Sequence, residues 1–165
     1  IAIERIRRVS DRIKGSTINE GDYGVKLFKL AESGLRIWNP DRHDLEESLL
    51  HYEEKILADR EEMDVLYELL LKRGVDLTAP IESRNVICKN IYSIGYGVLF
   101  TCLAESIAKD QVEDIAQGII SWHAELEPNS ATHVFFRDSA FQDDVSKTNM
   151  AAILEQNGIT HVRSL

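Results

Sequence analysis

Two rhythms of apolar and polar positions run along this chain, one of three to four residues and one of two. The helical rhythm is sharpest over residues 59–74, where Met63, Leu66, Tyr67 and Leu70 recur at i, i+3, i+4 and i+7. Val65, Leu69 and Leu71 widen that face to most of the circumference. A helix apolar nearly all round must be covered on both sides, so other elements are expected to pack around it. Asp59 is placed to cap its first amides, and Glu62, three residues on, to complete a capping box. Acids fill the first turns and Lys72 and Arg73 the last, as the helix dipole favours, and Gly74 is a natural left-handed stop.

Other helices follow the same logic. Residues 1–14 carry Ile3, Ile6, Val9 and Ile13 on one stripe, with Arg5, Arg7, Arg8, Arg12 and Lys14 off it and Gly15 behind. Residues 41–58 place Leu45, Leu49, Tyr52 and Ile56 at spacings of 4, 3 and 4, a heptad-like seam suited to a partner helix. Residues 105–126 show Ile107, Val112, Ile115, Ile119 and Trp122 on an inner face, and residues 143–157 show Val145, Met150, Ile153 and Leu154.

The two-residue rhythm marks strands at 23–30, 85–88, 91–94, 98–103, 133–137 and 159–165, with a short extended piece at 35–38. Gly95-Tyr-Gly97 reads as a hairpin turn or bulge. Strand, helix and strand after residue 133 imply a right-handed βαβ unit with a parallel pair. The expected class is α/β, with α+β as the alternative: a helical hairpin over about 41–73 on a small mixed sheet, closed by that unit.

Charge refines this picture. The 165 residues carry a net −9, with 44% apolar and 28% charged residues, as in an ordinary globular protein. Ten acids against three bases over residues 41–64 supply −7 of it, while residues 1–14 hold five bases against two acids. Such a chain is a poor non-specific DNA binder overall, and any contact with phosphates is expected at Arg5, Arg7, Arg8 and Arg12. No apolar run approaches the roughly 20 residues that span a bilayer, so no membrane partner is expected. The amphipathic first residues do not resemble a signal peptide, and the missing initiator Met suggests a piece of a longer protein. Cys88 and Cys102 sit in apolar, strand-like surroundings and read as buried free thiols in a reducing cytoplasm.

No catalytic constellation emerges. Asp138 ends an apolar strand before a helix, where open α/β proteins often place a functional carboxylate. A structural role, capping the next helix or binding Arg137 or Lys147, weighs more than a metal or catalytic one. Asp143 and Asp144 read as a helix N-terminus. Glu53-Glu54-Lys55 echoes a nuclease E-x-K but falls in a helical stretch. The five histidines, at 43, 51, 123, 133 and 161, show no zinc spacing. Catalytic, cofactor and metal residues are therefore assigned to none.

Four stretches in order carry a resemblance. Glu4-Arg-Ile-Arg-Arg8, then Gly24-Val-Lys-Leu-Phe-Lys-Leu30 with Ser33 through Trp38, then residues 45–77, with the run Asp64-Val-Leu-Tyr-Glu-Leu-Leu-Leu-Lys72, and finally Val134-Phe-Phe-Arg-Asp-Ser-Ala-Phe141 with Lys147-Thr-Asn149 and the end at Leu165 are at issue. Together they resemble the C-terminal region of the modification subunit of type III restriction-modification systems, which are site-specific DNA adenine-N6 methyltransferases. Gly34 stands where that family commonly has Asn. Its adenine-pocket Asp-Pro-Pro-Tyr loop and its S-adenosylmethionine loop, Phe-x-Gly-x-Gly, do not occur here, and Asn39-Pro40-Asp41 is no substitute.

The resemblance implies that residues 1–38 end the catalytic domain and that residues 41–165 form a C-terminal assembly domain. The chain itself is then expected not to methylate DNA, and S-adenosylmethionine would belong to the parent protein. The implied partners are a second modification subunit in a homodimer, the restriction subunit, and DNA through the parent. Leu45, Leu49, Tyr52, Ile56, Leu66 and Tyr67 are the candidate interface. The alternatives are a module that contacts the DNA backbone, and an independent α/β enzyme using Asp138.

Overall fold

A computed structural model describes residues 2–16, 24–34 and 60–165. The chain divides into two compact units, Ile1–Glu32 and Ser33–Leu165.

In the first unit, α1 (Ala2–Ser16) forms as its stripe predicts. Residues 24–32 follow without helix or strand. This corrects the strand expected over 23–30: the alternation is there, but residues 24–30 join no strand ladder among the described residues, and alternation alone does not make a strand without a neighbour in register. Apolar side chains stay exposed on both pieces, from Ile3, Ile6, Val9 and Ile13 to Val25, Leu27, Phe28 and Leu30.

The second unit is built on a five-stranded mixed sheet whose spatial order follows the chain: β1 (Ile81–Val86), β2 (Lys89–Ile94), β3 (Leu99–Cys102), β4 (His133–Phe136) and β5 (His161–Ser164). β1, β2 and β3 pair antiparallel, while β3–β4 and β4–β5 pair parallel. The parallel pairs need crossovers. α3 (Val112–Leu126) supplies the first and α4 (Asp144–Gln156) the second, so the expected C-terminal βαβ unit is present. The class is α/β.

Alternation along the strands splits the core in two. Ile91, Phe100, Cys102, Val134 and Phe136 face α3 and α4, whose Ile115, Ile119, Trp122, Met150 and Leu154 complete that cluster. Phe100 and Trp122 meet edge-on with ring centroids 5.5 Å apart. Tyr92, Ile94, Leu99 and Phe135 face the other way, against Val65, Leu66, Leu69 and Leu70 of α2 (Glu62–Arg73). The sheet is thus covered on both faces, as parallel strands require.

Several expectations change in detail. Leu71 is 63% exposed, so α2 buries one broad face and not its whole circumference. Its N-cap is Glu61 with no side-chain cap; Glu62 does not reach back but accepts hydrogen bonds from Tyr92 and Asn90. Asp59 lies outside the described residues, as do residues 41–58 of the expected hairpin. Gly74 does end α2, in the left-handed conformation. Residues 105–108 precede helix: Ile107 bridges to Phe141, and its amide donates to the Ala140 carbonyl at 2.7 Å. Val145 is 57% exposed, on the solvent side of α4.

Cys102 is buried as expected, but Cys88 is exposed. It sits with Ile87 at the β1–β2 turn, between the paired Val86 and Lys89, not inside a strand.

Candidate functional site

The N-terminal arginines are where the sequence puts chemistry, and α1 presents all of them to solvent. Arg5, Arg7, Arg8 and Arg12 are exposed. Arg8 pairs with Glu4 one turn earlier at 3.0 Å, an exposed i,i+4 contact that gives way readily to a phosphate. Arg5 borders a shallow groove of about 360 Å³ within the same unit, lined with Ile6, Val9, Ser10, Ile13 and Gly24. This groove is almost wholly apolar, so only its rim carries charge.

The candidate interface residues separate. Leu45, Leu49, Tyr52 and Ile56 lie outside the described residues. Leu66 is completely buried against the sheet, and Tyr67 is half-buried beside the same cluster. Leu66 therefore belongs to the chain's own core and offers nothing to another subunit.

Residues 33 and 34 are tied to α2 by Glu68. Its carboxylate accepts from the Ser33 hydroxyl and, at 2.7 Å, from the Gly34 amide, while Lys72 pairs with it at 3.0 Å. Burial pushes this carboxyl up, but the bonds from Ser33, Lys72 and Gly34 outweigh it and hold Glu68 below the usual range. Gly34 is buried here, and a Cβ would meet Arg60 Cγ at 3.1 Å.

Asp138 opens a short 3-10 turn after β4 and is half-buried. Lys147 of α4 donates to its carboxylate. The contact is the structural alternative, a pin between the end of β4 and the first turns of α4. Asp143, not Asp144, caps α4 and accepts from the Ser146 amide at 2.6 Å. The Ser146 side chain first, and then its amide, keep this carboxyl below the ordinary range. Among the described residues no three His, Cys, Asp or Glu side chains gather as metal ligands. No helix among them is long and apolar enough to cross a membrane.

The structure also gathers residues that spacing alone could not. His133 and His161 are register partners on β4 and β5, and their rings stack. Their only signal in the sequence is that both open apolar, strand-like runs. Comparison with known proteins adds no relative: no family model, curated protein or solved structure matches the chain.

Proposed function

We propose that this chain is the C-terminal assembly part of a type III modification methyltransferase, a scaffold that does not itself transfer methyl groups. The order of the four resembling stretches supports the family. The observation that carries the role is the band of exposed apolar side chains on the first unit, from Ile3 to Leu30. So many exposed apolar side chains in one small unit favour a surface that another protein surface covers. In this reading the catalytic domain of the parent covers it, and the heptad-like seam at Leu45, Leu49, Tyr52 and Ile56 serves a second modification subunit or the restriction subunit.

The test is methyl transfer to duplex DNA, measured for this chain and for the whole modification subunit with S-adenosylmethionine supplied. The chain alone gives no transfer. Leu49→Glu in the whole subunit weakens assembly and leaves S-adenosylmethionine binding intact. Transfer by the chain alone would overturn the scaffold reading.

A second reading is favoured by the solvent-facing arginines of α1: a clamp on the DNA backbone. Four phosphate contacts would give a log–log salt slope of roughly −3.6. Replacing Arg5, Arg7, Arg8 and Arg12 with Gln would abolish it. A salt-independent affinity, or no affinity at all, rules the clamp out.

A further inference from the structure

The face of the sheet beneath α2 changes character from one edge to the other. Two rows of register partners cross it: Ile81, Ile94, Leu99, His133 and His161, then Ser83, Tyr92, Thr101, Phe135 and Arg163. α2 covers the middle of both rows with Leu66, Leu69 and Leu70. At β5, the edge strand, the rows end in His161 and Arg163, both exposed. There the imidazoles of His133 and His161 stack with centroids 4.6 Å apart and planes within 14°. Arg73, the last residue of α2, lays its guanidinium over the Phe135 ring, 4.4 Å from the centroid. Two imidazoles and two guanidiniums therefore share one edge of a chain whose net charge is −9.

The arrangement is electrostatically one-sided. His133 is held below the usual imidazole range, first by burial, then by His161, Arg73 and Arg163. β3 sets Leu99 opposite it, α2 contributes Arg73, and β5 contributes His161 and Arg163. Lys72, the other cation at the end of α2, is paired with Glu68. Each charge acting on His133 is positive, so an anion beside it would favour the proton.

We propose that His133, His161, Arg73 and Arg163 form a binding site for a phosphate-class oxyanion at the β5 edge. Guanidinium forks match such oxygens two at a time, and a protonated imidazole adds further N–H donors. Anion and proton then bind cooperatively: the anion offsets the positive charges that, after burial, disfavour the proton on His133, so affinity rises as pH falls. Reciprocity requires the anion to raise the imidazole pKa by the same factor. Free phosphate and the phosphodiester backbone of a nucleic acid are the two sources of this chemistry.

The experiment follows the imidazole proton resonances of the 165-residue chain by NMR from about pH 5 to about pH 8. Separate series contain chloride at matched ionic strength, sulfate, inorganic phosphate or a short DNA duplex. Sulfate keeps its charge throughout, so any proton linkage with it belongs to the protein. The expected result is a rise of about one unit for His133 in sulfate, equal to about tenfold tighter anion binding to the protonated form. His123 on α3, on the opposite side of the sheet, stays put. Arg163→Gln, at an exposed edge position where folding does not depend on the side chain, at least halves the shift. A duplex that acts far below the phosphate concentration supports a backbone phosphate as the ligand, and an equal or weaker duplex effect supports a free anion. An unchanged His133 in every series would overturn the site, as would a shift that survives Arg73→Gln with Arg163→Gln.

Discussion

Tyr92 is the residue where the polar and apolar demands of the sheet meet. Its ring belongs to the cluster under α2, while its hydroxyl donates to Glu62 at 2.7 Å. Burial first, and then the Glu62 carboxylate, push its phenol up to about 12. In the unfolded chain the same group ionises near about 10. The folded state thus holds this proton more tightly. Its contribution to stability is complete below about pH 10 and is lost as pH climbs towards about 12. Ultraviolet titration should show one tyrosine ionising only near pH 12 or together with alkaline unfolding. Tyr92→Phe should flatten the alkaline loss of stability and lower the urea-derived stability at neutral pH by about 1 kcal/mol. A phenol that ionises with the exposed tyrosines would contradict this assignment.

At the scale of elements, the β1–β2 hairpin carries strain that an apolar pattern cannot reveal. Its two turn residues, Ile87 and Cys88, have φ of 46° and 59°. Two-residue hairpins of this kind favour Asn-Gly, and a β-branched residue at positive φ is costly. Replacing Ile87-Cys88 with Asn-Gly should therefore stabilise the fold by about 1–2 kcal/mol, measured as a higher urea midpoint with unchanged slope. Gly118 presents the opposite case. It lies inside α3, where alanine would ordinarily gain about 1 kcal/mol. A Cβ there would meet Val86 Cγ2 at 2.8 Å and Cγ1 at 3.2 Å. Both methyls of a stiff β-branched side chain are close, so rotation does not clear the contact. Overpacking at about 1–3 kcal/mol wins, and Gly118→Ala should lower stability by about 1 kcal/mol net.

These two elements also show what the sequence could and could not convey. α2, α3, α4 and the βαβ unit were legible because each buries one face against the sheet, which writes the periodicity. β1 was only partly legible: it is an edge strand with four exposed residues between two half-buried ends, so no alternation marks its start. The turn at Ile87 and Cys88 lacked the usual residues and read as strand. Residues 24–30 alternate like a strand but pair with none among the described residues. Leu66 was legible as core and equally as interface, since both demand the same side chain. The His133–His161 stack requires parallel register between distant segments, which no local pattern encodes.

At the scale of the whole molecule, the described residues of the second unit bury an apolar core on each face of the sheet. Neither core includes a residue of the first unit, where Leu30 is 98% exposed and Ile3, Val9, Val25 and Leu27 are each more than half exposed. The proposed assembly role rests on that contrast and on the seam at residues 45–56. It is best examined by light scattering of this chain across a concentration series, with Leu49→Glu beside it. A mass that rises to twice that of the 18.7 kDa monomer with concentration, and stays monomeric in Leu49→Glu, is the predicted result. A monomer at every concentration, or a dimer indifferent to Leu49→Glu, would contradict self-assembly through that seam.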